Sequence, residues 1–319
     1  MTSSADVAAK AGVSRSTVSQ ILNGHGHRFR ADMVVHVKAV AQELGYRPSI
    51  AGRALARGTS DIVITLLPNI SLGPRLRELI DGVTEELAAA GRTNLIRLSS
   101  GDAQIDEAVL ALRPAGLWSV APLTPEQHRI LAEAGVAVVD QPRELQEAVD
   151  HEIGAMQARH LIERGYTAIA AAIPQDLRER PFALARERGA LDECRASGIE
   201  PLPTIRLALQ RGSSSATADL LPRQSVGIAA YNDDAALAIM AAAAHAGRDV
   251  PGDVGVIGVD NTIASGVSEP TLTTVDIDVR FSTHEIVRAL LHGPEILPTD
   301  AFNAVRSLVS IVDGGSTAR

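Results

Sequence analysis

Arg15, Ser16, Ser19 and Gln20 fall in one short stretch, SRSTVSQIL, and carry groups that can read the edges of base pairs. An arginine can grip guanine with two parallel hydrogen bonds, and a glutamine can do the same to adenine. Such chemistry needs these side chains on the open face of a short helix whose other face is anchored. The surrounding residues meet that need. Ser14 is a natural N-cap for this helix. Val18, Ile21 and Leu22 recur at i, i+3, i+4 and face inward. A shorter helix over Asp6 to Lys10 precedes it, with Val7, Ala8 and Ala11 as its apolar stripe. Gly12 between them can take a positive φ at little cost. This is the layout of a DNA-reading helix-turn-helix, although any helical hairpin can carry a glycine turn and a serine cap.

A third amphipathic helix is expected from about Ala31 to Leu44, with Val37, Val40, Ala41 and Leu44 on one face and Gly45 placed to end it. Between helices two and three, GHGHRFR offers His27, Arg28 and Arg30 to phosphates. Its two histidines lack a third ligand at metal spacing, so no metal is expected.

The charge distribution agrees. The whole chain of 319 residues carries −8, yet its first sixty hold eight Lys and Arg against three Asp and Glu, a balance of +5 that leaves −13 for the rest. A basic head on an acidic body is the footprint of a DNA module tethered to something that does not touch DNA.

From Asp61 on, Val/Ile-rich runs alternate with helical stretches: DIVITLL, then 74–90; NLIRL, then 104–112; AGLWSVA, then 125–134; VAVVD, then 150–164. A second series follows: TAIAAAI, 181–197, PTIRL, 214–221, VGIAAY, 233–246, VGVIGVD, and LTTVDID with a helix to about Leu291. Such alternation means parallel sheets covered on both faces. Two series of similar length imply two doubly wound subdomains, with a cleft lined by loops at the carboxyl ends of strands. Asp140, Asn232 and Asp260 each end or follow such a strand, and Arg180 and Arg186 start the helix after TAIAAAI. The alternative roles for the acidic residues are a helix cap for Asp233 and pairing with nearby arginines for Asp140 and Asp260.

Several classes are disfavoured. No GxGxxG or GxxxxGK[ST] follows a strand, so no nucleotide cofactor is expected. No nucleophile, base and orienting group stand together, which argues against an enzyme. The single Cys194 leaves no internal disulfide, as in a reducing compartment. The start MTSSADVAAKAG lacks a leader pattern, and no run of eighteen apolar residues is long enough for a membrane. A cytoplasmic protein is the expectation.

The strings DVAAKAGVSRSTVSQILNG, ELGYRP and AGRALARG resemble, in order and spacing, the headpiece of the LacI/GalR family of transcription regulators. The likeness returns in YNDDAA, HAGRDVP, GVIGVDN, PTLTTV and RERG, and weakens between Asp102 and Ala134 and after Leu291. Where that family usually has a capping Ser or Thr before the third helix, this chain has Arg30. The resemblance implies an all-α headpiece at residues 1–48, a hinge helix at 49–60, and an effector-binding and dimerisation body at 61–319. That body resembles periplasmic binding proteins, with an N-subdomain of about 61–150 plus 277–303 and a C-subdomain of about 151–276 plus 304–313. It adds Ser4, Ser14, Thr17, Asn23, Tyr46 and Arg53 to the expected DNA contacts, and makes Leu55 the apolar wedge that opens a base step in the minor groove. The expected effector residues are Asn69, Arg75, Leu76, Asp140, Arg180, Phe182, Arg186, Asn232 and Asp260; of these the resemblance itself implies Arg186, Asn232 and Asp260, and Arg180 as in some relatives. Relatives often carry an aromatic pair where Arg75 and Leu76 stand, and aromatics are only 3% here, so a stacked sugar platform is poorly supplied. Arg75, Arg180 and Arg186 could instead make the cleft cationic and select an anionic ligand; a sugar derivative is the other expectation. The reading is a homodimeric, ligand-responsive repressor of a pseudo-palindromic double-stranded operator. The alternatives are a solute-binding receptor without DNA function and an enzyme on the α/β body.

Overall fold

The computed structural model describes residues 2–46, 59–70, 73–99, 105, 107–140, 142–293 and 309–318. Three helices open the chain: α1 (Ser4–Ala11), α2 (Arg15–Gln20) and α3 (Ala31–Glu43). Ser3 and Asp6 form a reciprocal capping box on α1, which therefore begins two residues before the expected Asp6. Gly12 closes α1 at φ 67° and Gly45 follows α3 at φ 61°, both in the left-handed region that favours glycine. Val7, Ala8, Val18, Ile21, Val37 and Val40 form one small core beneath the three helices. After Gln20 the chain makes a π turn over Ile21–His25, released by Gly24 at φ 95°.

The body holds two sheets. The first has the order β2-β1-β3-β4 and is all parallel, with β1 (Ile62–Pro68), β2 (Thr93–Ser99), β3 (Gly116–Ser119) and β4 (Ala137–Asp140). Its connecting helices are α4 (Pro74–Ala89), α5 (Glu107–Ala111) and α6 (Pro125–Glu133). The second sheet contains β5 (Ile169–Pro174), β6 (Ile205–Leu207), β7 (Val226–Ala230), β8 (Val254–Val259), β9 (Thr273–Ile277) and β10 (Val309–Val312), in the order β10-β9-β8-β7-β5-β6. Strands β1, β5, β7 and β8 are nearly continuous apolar runs buried along their length, as parallel strands covered on both faces must be. β10 departs from the all-parallel expectation, because it returns antiparallel along β9.

Two helices stitch the sheets together. α7 (Arg143–Glu163) leaves β4 of the first sheet and packs on α8 (Arg180–Ala196) of the second. It starts seven residues before the expected 150, because its first two turns carry few apolar residues to mark them. α12 (Arg280–His292) follows β9 of the second sheet and returns to the first, where Val287 and Leu290 join Val63, Val83 and Trp118 in one core. α7 and α8 cross at two glycines. A Cβ on Gly154 would lie 1.9 Å from the Arg186 carbonyl oxygen, and one on Gly189 would lie 1.8 Å from that of His151. The remaining α-helices among the described residues are α9 (Ser214–Ala218), α10 (Asp233–His245) and α11 (Ile263–Val267).

Candidate nucleic-acid interface and ligand cleft

The start of α2 is fixed by its cap. Ser14 Oγ accepts the Thr17 backbone N–H at 3.0 Å and shares a hydrogen bond with Thr17 Oγ1 at 2.9 Å. With Val18 and Ile21 buried, Arg15, Ser16 and Ser19 are exposed on the other face. Gln20 lies one turn along, its Nε2 donating to Ser16 Oγ at 3.3 Å. Asn23 turns inward instead: it is 8% exposed and donates to Ser19 Oγ at 3.1 Å. His27 and Arg28 are exposed in the loop beyond. Arg30 pairs with Asp32 at 2.8 Å, and the other Asp32 oxygen accepts the Met33 N–H at 2.9 Å. That carboxylate serves the α3 N-terminus, where the sequence had no Ser or Thr cap to offer. Ser4 and Tyr46 are half-buried, Tyr46 against the small core. Arg53 and Leu55 lie outside the described residues, as do residues 49–58 of the expected 49–60 hinge.

In the body, the carboxyl ends of the strands of both sheets face each other. Arg178 Nη1 donates to Asn69 Oδ1 at 3.4 Å, from the loop after β5 to the end of β1. Arg75 in the first turn of α4 pairs with Asp276 on β9, and with Glu78 at 2.6 Å. Gly73 packs so close to Asp260 that a Cβ there would be 3.0 Å from Asp260 Oδ2. Two side-chain pairs and one close approach thus link the first sheet's half of the body to the second's.

Arg186 lies at the back of this cleft. Its Nε donates to Asp150 Oδ1 at 2.8 Å, its Nη1 to the Tyr231 carbonyl at 2.7 Å, and its guanidinium sits 4.8 Å from the Tyr231 ring centroid. Asp150 is 1% exposed, and its other oxygen accepts from Gln146 Nε2 at 2.7 Å. Burial works against the Arg186 charge, but the carboxylates of Asp150 and Asp260 outweigh it and hold the group firmly protonated. Tyr231 Oη donates to Glu179 at 3.0 Å, and burial pushes its pKa up. Asp260 has a non-glycine φ of 104°, and burial lifts its carboxyl to about 6 against the pull of Arg186 and Arg75. No described residue donates a hydrogen bond to that carboxylate.

The other expected effector residues spread out. Asn232 caps α10, its Oδ1 accepting from the Ala235 N–H at 2.9 Å. The cap expected at Asp233 is therefore at its neighbour. Asp233 is fully buried and accepts from the Thr262 N–H at 2.7 Å and from Thr274 Oγ1 at 2.6 Å. Asp140 is drawn away from arginines: it accepts from the Leu123 N–H at 2.8 Å and lies 3.2 Å from His128 Nε2. Leu76 and Phe182 are half-buried against the cores of their own sheets, while Arg180 is exposed at the start of α8. Trp118 is core, as its place within a strand suggested, and Cys194 is buried with its thiol pushed up to about 11. The cationic cleft expected from Arg75, Arg180 and Arg186 does not form as such, since Arg75 and Arg186 already hold carboxylates. Asp150, Glu179, Tyr231 and Asp276 complete the site unforeseen; only Tyr231 had a sequence signal, its place in YNDDAA. Among the described residues no three His, Cys, Asp or Glu gather as a metal site, and no helix is long and apolar enough to cross a membrane.

A capped reading helix on a three-helix head, followed by two parallel-sheet lobes facing each other across a polar cleft, defines a helix-turn-helix regulator with a ligand-binding body. Comparison with known proteins agrees with both parts. A family model described as bacterial regulatory proteins, lacI family, matches residues 5–49, and one described as a periplasmic binding protein-like domain matches 158–317. The transcriptional repressor PurR of Erwinia tasmaniensis is 31% identical over 293 residues, covering 85% of this chain and 84% of its own length. The transcriptional regulator CelR of Thermobifida fusca is 31% identical over 310 residues, covering 89% of each. The lac repressor dimer, solved bound to operator and the anti-inducer ONPF, superimposes with a TM-score of 0.75 at 22% identity over 100% of this chain and 99% of its own. This chain belongs to the lacI family of bacterial regulatory proteins. Its function is that of the family: transcriptional regulation through DNA binding modulated by a small molecule.

Proposed function

We propose that the protein is a cytoplasmic, homodimeric repressor without enzymatic activity, whose α2 reads the major groove of a pseudo-palindromic operator. The observation that carries this reading is the α2 face, on which Arg15, Ser16 and Ser19 stand exposed while a serine cap and two buried aliphatics hold the helix. His27, Arg28 and Tyr46 then fall to the phosphate backbone, with Arg53 and Leu55 at the minor groove between the two half-sites. Residues 1–48 form the head and 49–60 the hinge in this proposal. A second copy of the chain is favoured by apolar side chains left on the surface. Ile96 and Leu98 are 49% and 63% exposed on β2, an edge strand, and Ile263 and Val267 of α11 are 88% and 77% exposed.

For the ligand, the cleft offers guanidinium edges alternating with carboxylates, which suits a hydroxyl-rich molecule such as a sugar derivative. An anionic ligand is less favoured, because Glu78, Asp276 and Asp150 already neutralise Arg75 and Arg186. A gel shift on the promoter beside the protein's own coding region, with unrelated DNA as competitor, tests the whole reading. A shift that unrelated DNA removes as readily as the promoter itself would reject it.

A further inference from the structure

We infer that Asp150 determines the kind of ligand the cleft accepts, by neutralising Arg186 so that its guanidinium serves hydroxyl groups and does not act as an anion receptor. The inference rests on the reading of the cleft as the ligand site, and adds a specificity-determining residue that touches Arg186 and not the ligand.

The geometry is one-sided. Two of the three guanidinium nitrogens are committed, Nε to Asp150 and Nη1 to the Tyr231 carbonyl. The face of the group is covered by the Tyr231 ring. The Nη2 edge has no partner among the described residues, and the Arg186 side chain keeps 13% of its surface exposed. An incoming group can therefore meet only that edge. Behind it, Asp150 is 1% exposed, with both oxygens engaged by Arg186 and Gln146.

The partner carboxylate cannot drift away. Asp150 is one turn from Gly154 on α7, and Gly154 leaves room for the Arg186 carbonyl itself. The backbone crossing thus sets the spacing of the pair. A fixed carboxylate one guanidinium width behind the donor edge offsets a large part of the attraction that the arginine exerts on an arriving anion. A neutral hydroxyl feels no such opposition and still gains a strong, charge-assisted donor. Two neighbouring arginines do not restore the balance, since Arg75 holds Glu78 and Asp276, and Arg178 holds Asp176.

The test uses the full chain with inorganic phosphate as probe, at low and matched ionic strength, followed by calorimetry and thermal shift. The wild type should give no saturable response. Asp150→Asn keeps an acceptor for Arg186 Nε, and Gln146 can flip its amide to match. It should bind phosphate on the order of 100-fold more tightly, the effect of removing one unit charge about 6 Å away at an effective dielectric near 20. Adding Arg186→Met should abolish the gain. Asp150→Thr, which also offers an oxygen without charge, is the second route should the asparagine variant not fold. Phosphate bound equally by wild type and variant, or a folded variant that gains nothing, overturns the inference. Binding of operator DNA without phosphate is measured in parallel. Its failure in the wild type would fault the proposed function and leave the phosphate result standing.

Discussion

Replacing Asp260 with asparagine should make the protein more stable at neutral pH. The two side chains have the same shape, so no cavity forms, and asparagine tolerates the positive φ of 104° at this position. What changes is charge. Burial lifts the Asp260 carboxyl to about 6 from its ordinary 3.8. A shift of about two units corresponds to roughly 3 kcal/mol between protonated and ionised forms. Because the carboxyl is not wholly shut off from the cleft, about 2 kcal/mol is the working figure. The sign follows from the direction of the shift: a raised acid stabilises the fold while protonated, and that contribution is lost as pH rises through the folded value. The wild type should therefore lose ground to Asp260→Asn between about pH 4 and pH 7. Urea unfolding followed by circular dichroism at about pH 4.5 and about pH 7.5 measures the gap, which should be near ~1 kcal/mol at the first and near ~2 kcal/mol at the second. A gap independent of pH, or a variant less stable at neutral pH, would refute the reasoning.

Gly189→Ala should destabilise by about 2 kcal/mol, the upper range for overpacking less about 1 kcal/mol of gained helix propensity, since its Cβ meets the His151 carbonyl at 1.8 Å. Gly266→Ala, where a Cβ meets nothing within 4 Å, should be neutral or slightly stabilising in the same melts. Arg15→Ala should cost about 1–3 kcal/mol on the operator and relax preference at one base pair per half-site; equal weakening on all sequences would make Arg15 a phosphate contact. Leu55→Ala should lower operator affinity and remove bending while sparing non-specific binding, read by energy transfer between the DNA ends. Operator affinity should fall linearly in log K against log salt, and a flat line would contradict phosphate neutralisation by the basic head.

Local chemistry carried much of the fold into the sequence. The caps at Ser14 and the glycines at 12 and 45 act where they stand, through residues a few positions away, so they could be read directly. The strand–helix alternation was equally plain, because strands buried on both faces are apolar throughout. What escaped were features decided at long range. Arg75 looks like a free cation until Asp276 arrives from another sheet. Asp150 looks like one more polar residue until α7 and α8 cross beside it. Asn232 rather than Asp233 caps α10, because Thr262 and Thr274 claim the aspartate. The antiparallel β10 had no alternation to announce it.

The stitching of the two sheets bears on how the protein comes into being. The first sheet cannot complete the cover of the face that α4 shares with α12 until α12 exists, and α12 follows β9, the fifth strand of the second sheet. The second sheet in turn lacks its edge until β10, which comes later still. During synthesis, α4 supplies Ile80, Val83 and Leu87 to the core of Val63 and Trp118 early, but that core stays incomplete through the making of well over a hundred residues before Val287 and Leu290 close it. Maturation then cannot proceed lobe by lobe from the N-terminus, as it does for beads on a string. A chain interrupted between the lobes leaves the first core without the part of its cover that α12 supplies.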